Sequence, residues 1–191
     1  MIKLLAIDPN HAPTLSNKGL ALMNLGLNQE ALEYFDKSLA IDPNDTIVIQ
    51  NKGVALSNLG RNEEAITYYD KVLKTEPNDV ETLNGMGVAL MRLGKNDEAI
   101  PYLDKALAIE PNHLDALNSK GVVLLNLGRD DEAIVYFDKA LAIEPNYVEA
   151  LNSKGAALYH LGKYEDAIIH NISSSLLGLP SWEFLLLLLL A

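Results

Sequence analysis

The chain has 191 residues, 49% of them hydrophobic and 21% charged, with 26 acidic side chains against 15 basic ones. A net charge of −11 argues against the clustered Lys and Arg that a phosphate backbone requires, so nucleic acid is not an expected partner. Cysteine is absent, which excludes disulfides and thiolate metal sites and leaves the redox compartment unread.

The first nine residues, Met1 to Pro9, are no secretory leader: the apolar stretch is too short and no cleavage site follows, so a cytoplasmic location is expected. Pro9 opens a series that continues at Pro43, Pro77, Pro111 and Pro145, each 34 residues on. Gly19, Gly53, Gly87, Gly121 and Gly155 keep the same period, and so do Gly26, Gly60, Gly94, Gly128 and Gly162. A fixed period of this length means one supersecondary unit stacked on copies of itself. The period predicts a partial repeat over 1–11, the end of a second helix, and full repeats over 12–45, 46–79, 80–113 and 114–147. A degenerate fifth repeat starts over 148–169, and an atypical apolar tail fills 170–191.

The repeat 114–147 shows how a unit is built. Leu117, Gly121, Leu124 and Leu127 recur at helical spacing and predict a first apolar stripe. Gly128 ends that helix, because glycine tolerates the left-handed conformation just past a C-terminus. Asp130 reads as the N-cap of the second helix, with Asp131 and Glu132 in its first turn. Ala133, Ile134, Phe137 and Leu141 make the second stripe, and Pro145 stops it. Gly121 lies mid-helix, where glycine costs roughly 1 kcal/mol against alanine. The expected compensation is a close approach between two small residues, with Ala133 facing Gly121, and Ala65 and Ala99 serving alike at Gly53 and Gly87.

The order Leu117, Gly121, Leu124, Gly128, Ala133, Phe137, Ala140, Pro145 resembles the tetratricopeptide repeat, a helix-turn-helix of 34 residues, over about residues 1–169. The resemblance implies an all-α, right-handed superhelical solenoid of antiparallel helix pairs. It also implies that first helices line a concave groove that binds a peptide or partner protein. The family's carboxylate clamp for acidic tails needs Lys and Asn, then Asn, then Lys and Arg. The matching slots hold Ser16 and Leu20, Asn51, then Glu81 and Gly85, and the later registers fail too.

The slots that the family uses for its groove form two ladders here. One is of amides: Gln50, Asn84, Asn118 and Asn152. The other is apolar: Leu20, Val54, Val88, Val122 and Ala156, with Met91, Arg92 and Leu125 beside them. A side-chain amide both donates and accepts, so such a ladder can pair with an extended backbone whatever its sequence. The apolar ladder could take alternate side chains. The same amides also read as solvated helix surface. Where family members often carry Leu before the mid-helix Gly, this chain has Lys18, Lys52, Lys120 and Lys154, with Met86 the exception. Two readings stay open: lysines whose stems cover apolar surface and whose ammoniums reach a carboxylate or water, or a charge ladder for an anionic partner.

His11 and His113 read as turn residues, and His160 and His170 lack a pattern that would hold a metal. Asp36, Asp70, Asp104 and Asp138 recur beside lysines, and Tyr34, Tyr68, Tyr102 and Tyr136 recur on the second helices, which suggests packing. An active site is normally singular, so no catalytic residue, metal or cofactor is expected. Pro101, within a second helix, predicts a local kink. The tail holds an unbroken apolar run of eight residues, Phe184–Ala191, against about 20 for a spanning helix, so a membrane anchor is not expected. Three readings of the tail stay open: aberrant sequence, a flap over the last repeat, or an interaction or membrane-surface element. Polyleucine at one end and a half-repeat at the other predict self-association. The expected function is a non-catalytic protein-interaction scaffold. The alternative is a fragment of a larger protein of this family whose catalytic or sensory part lies elsewhere.

Overall fold

The computed structural model describes residues 11–169. The readings of the partial repeat before His11, of His170, of the 170–191 tail and of association through the ends fall outside the described residues. The chain divides into two compact units, Met1–Ile109 and Glu110–Ala191, each taken by itself below. The described residues are helical throughout, with short turns and no strand. The first unit holds α1 (Ala12–Asn24), α2 (Asn28–Ile41), α3 (Thr46–Asn58), α4 (Asn62–Thr75), α5 (Val80–Arg92) and α6 (Asn96–Ile109). The second holds α7 (Leu114–Asn126), α8 (Asp130–Ile143) and α9 (Val148–His160), then helical residues over 164–169.

In the first unit α1 packs on α2, α3 on α4 and α5 on α6, and each pair continues onto the next through α2–α3 and α4–α5. The odd-numbered helices also touch in turn, α1 with α3 and α3 with α5. In the second unit α7 packs on α8, α8 on α9, and α7 on α9. The core is a column of Ala31, Phe35, Ala65, Tyr69, Ala99 and Leu103 in the first unit, and Leu117, Ala133, Phe137 and Ala140 in the second.

Local chemistry sets the helix ends. Asp45 accepts from the Val48 N–H at 3.1 Å and Asp79 from the Thr82 N–H at 2.7 Å, each closing an open first turn. At the other end of the first helices Gly26, Gly60, Gly94, Gly128 and Gly162 take φ between 72° and 77°, as their period predicts. Around Gly60 the chain closes a reversal: the Gly60 N–H donates to the Ser57 carbonyl and the Arg61 N–H reaches back to that of Leu56. Asp130, by contrast, is not the cap of α8. That place falls to Arg129, which makes no side-chain capping bond, and Asp130 is the first helical residue. Pro101 lies inside α6, whose helical range is unbroken on either side of it.

The mid-helix glycines do meet a close approach, but the atoms nearest to them are not those of an alanine. A Cβ on Gly19 would lie 2.6 Å from Phe35, one on Gly53 2.6 Å from Tyr69, one on Gly87 2.7 Å from Leu103, and one on Gly121 2.4 Å from Phe137. The missing side chain makes room for a large, fully buried residue of the paired helix. Ala65, Ala99 and Ala133 are fully buried in the same core. The expectation of a small-on-small contact is corrected on this point: a large apolar side chain laid against a bare backbone buries more apolar area than two small residues can.

Candidate functional site

The lysines that precede the mid-helix glycines have partners within the scaffold. The Lys18 ammonium donates to the Tyr34 hydroxyl at 2.6 Å and lies 4.2 Å from the ring centroid. Lys52 pairs with Asp36 and sits 4.6 Å above the Tyr68 ring. Lys120 lies 4.4 Å above Tyr136, and Lys154 pairs with Asp138 at 2.7 Å. Each Tyr ring also carries a second lysine from its own helix, Lys37, Lys71 or Lys139. Burial pulls the Lys52 ammonium down, but hydrogen bonds from Asp36 and Tyr68 outweigh it and hold its pKa above the usual lysine value. Of the two readings of this ladder, the internal one describes the structure. Where Met86 replaces the lysine it is buried, and Lys105 turns instead to the Pro77 carbonyl at 2.5 Å.

The opposite surface of the first helices carries the groove slots. In the first unit they border a cleft of about 330 Å³ between α3 and α5. Val54 and Val88 are its apolar walls, and Asn84 and Arg92 line it from α5. Gln50 also borders it, but its amide is engaged: the Nε2 donates to Asp79 at 2.7 Å and to Thr82 at 2.8 Å. Arg92 reaches across to the end of α3, where it donates to the Ser57 carbonyl at 2.8 Å and its hydroxyl at 2.9 Å. A cation there faces the negative end of the helix dipole. Met91 is half-buried and does not border the cleft. In the second unit Asn118, Val122 and Leu125 are half-buried on α7, and Asn152 is exposed on α9.

Two amides of the ladder share an unusual feature. The Oδ1 atoms of Asn84 and Asn118 are buried and have no hydrogen-bond partner among the described residues. A buried acceptor left open costs about 1–3 kcal/mol, so such atoms are rare in a settled fold.

Sequence reasoning missed the floor of the cleft, which is Tyr69 of α4. The residue is 2% exposed, and its hydroxyl has no partner among the described residues. Burial pushes its pKa up to about 12, against a weaker downward pull from Arg92. The folded chain therefore keeps this proton in a range where the unfolded chain has lost it. Stability falls as pH rises from the ordinary tyrosine value of 10.0 to about 12. Melting across that window should show a steeper alkaline loss for the parent chain than for Tyr69→Phe; identical slopes would remove Tyr69 as the cause. The sequence did hold a signal for this site. Gly85 is the one glycine of the repeats that stands outside both glycine series.

In the second unit His160 lies 3.2 Å from Asp130, which explains the half-burial of that carboxylate at the start of α8. His113 is the N-cap of α7, its Nδ1 accepting from the Ala116 N–H at 3.2 Å. Among the described residues no group of three or more His, Asp and Glu is placed to hold a metal. No helix among them is long and apolar enough to cross a membrane.

Models of the tetratricopeptide repeat match over residues 12–45, 34–67, 51–113, 84–148 and 136–169. No curated protein sequence matches the chain. Solved structures share the fold. MamA from Desulfovibrio magneticus RS-1 is 24% identical with a TM-score of 0.72, over 86% of this chain and 93% of that one. TTC0263, a thermophilic TPR protein of Thermus thermophilus, is 18% identical with a TM-score of 0.80, over 90% and 94%. YrrB, described as a TPR protein with an unusual peptide-binding site, is 22% identical with a TM-score of 0.64, over 91% and 89%. At these identities the likeness is one of fold.

Proposed function

The chain belongs to the tetratricopeptide repeat family, and from that premise we propose that it is a non-catalytic scaffold binding an extended segment of a partner protein. The segment lies on the first helices. Each unit is read by itself: the first offers such a segment Val54, Asn84, Val88 and Arg92, and the second offers Asn118, Val122, Leu125 and Asn152. Gln50 positions the start of α5 and contributes its apolar stem. The observation that carries this reading is the pair of buried, unpartnered amide oxygens at Asn84 and Asn118. An amide turns about its last torsion with little cost, so each can offer oxygen or nitrogen to a passing backbone. YrrB is a protein of the same fold with a peptide-binding site. A chain of net charge −11 suits a basic or apolar partner segment over an acidic one.

The test sets binding against stability. The immobilised full chain is panned with a randomised peptide library, and the best peptide is titrated. Asn84→Ala with Asn118→Ala should weaken that peptide by roughly tenfold or more. The same change should raise stability by about 1 kcal/mol per site, because it removes an open acceptor and adds a better helix former. Unchanged affinity, or loss of stability in step with affinity, would sink the proposal.

A further inference from the structure

The cleft between α3 and α5 departs from the repeat at two linked places. Position 69 carries tyrosine where the other repeats carry Phe35, Leu103 and Phe137. Position 85 carries glycine where the others carry Asn51, Ser119 and Ser153. The two changes act together. A Cβ on residue 85 would lie 2.9 Å from Tyr69 Cζ and 3.2 Å from its hydroxyl oxygen. Phe35 and Phe137 fill the same core slot without a hydroxyl, so packing alone does not call for one. The glycine clears the space that the hydroxyl occupies, and Tyr69 borders the cleft with a donor that no neighbour takes up.

Asn84 borders the same cleft, and its buried Oδ1 has no donor among the described residues. Two residues lining one small cleft thus carry an unsatisfied donor and an unsatisfied acceptor, between the apolar walls of Val54 and Val88. Its charged members, Arg92 and Glu81, are opposite in sign, and Arg92 is already engaged on Ser57. A carboxylate entering here can accept from Tyr69 but cannot donate to the Asn84 oxygen as the structure places it. An ammonium can donate but not accept. Either would also carry its charge from water into a nearly neutral, amide-rich wall. A primary carboxamide does both at no such cost, and its methylenes match the valines.

We propose that this cleft takes the side-chain carboxamide of a glutamine or asparagine in the bound segment, and so fixes the register in which that segment lies. The inference rests on the groove reading above. Tyr69 is the specificity-determining residue, and Gly85 is the position that admits its hydroxyl.

Panning the full chain with the randomised library should enrich peptides that share one Gln or Asn. In the best of them, replacing that residue by Glu or by Leu should weaken binding roughly tenfold, because a site built to hydrogen-bond rejects a group that cannot. Tyr69→Phe should lower affinity for the Gln peptide to that of the Leu peptide. Its melting at neutral pH should hold, since phenylalanine is what Phe35 and Phe137 already are. Enriched peptides without a shared amide, or a Tyr69→Phe chain that still prefers Gln over Leu, overturn the carboxamide site and leave the groove reading standing. A library that yields no binder overturns both.

Discussion

Replacing Gly121 by valine is expected to unfold the α7–α8 pair. The new Cβ would stand 2.4 Å from Phe137 Cε1 and 2.8 Å from its Cδ1 and Cζ, well inside contact distance. The ring cannot retreat, because Phe137 is fully buried. Losing glycine from a helix interior recovers under about 1 kcal/mol. Overpacking a tight core costs about 1–3 kcal/mol or more, and valine adds two methyls beyond the atom that already collides. A net loss of about 3 kcal/mol or more is a large share of the stability of a small array. Denaturant titration of the full chain reads it. Phe137→Ala alone should cost about 3–5 kcal/mol through the cavity it leaves. The double variant should lose less than the sum by about 1 kcal/mol or more, since valine then enters the space that the ring vacated. Simple additivity would refute the direct collision.

The second large effect is expected at Gly60, for a different reason. Nothing lies within 4 Å of where its Cβ would be, so no neighbour is struck. Its φ of 76° is the whole constraint. An L-residue there costs about 1–2 kcal/mol, with a β-branched one at the upper end. Gly60→Val should therefore lose about 2 kcal/mol and Gly60→Asn well under half of that, because asparagine tolerates the left-handed region. Thermal melts of the two variants against the parent settle the order. No truncation of a neighbour should rescue Gly60→Val, whereas Phe137→Ala should partly rescue Gly121→Val. An asparagine variant as unstable as the valine one would refute backbone strain as the cause.

These two glycine series show why some of the fold was legible and some was not. The left-handed glycines answer to a requirement of their own backbone, so their role can be read from the residue and its place after an apolar stripe. The mid-helix glycines answer to a partner 16 residues away. Their period announced a close approach, but the small Ala133 was the residue expected across from Gly121. Only the packing shows that the ring, not the methyl, lies against Gly121. Asp130 misled for a related reason. Its residue type suits a cap, but the helix begins at that residue and its carboxylate faces His160. The lysine ladder was legible as a departure and undecided in meaning, because Asp36 and Tyr68 come to Lys52 from two different second helices.

The sequence by itself determined the repeat, the all-α class, the turn glycines and the row of amides and valines on the first helices. Each of these depends on local backbone preference or on spacing within about one helix, which one chain of letters carries in full. The tertiary structure decided which amides are engaged and which are open. Gln50, one methylene longer than asparagine, reaches Asp79 and Thr82, while the Asn84 and Asn118 oxygens reach no donor. It also joined Tyr69 to Gly85 across two helices, turning an isolated glycine into the opening of a polar cleft. Hydrogen bonds and contacts of this kind depend on distances of a few tenths of an ångström between helices, and those are set by the packing of the whole unit rather than by any segment of it.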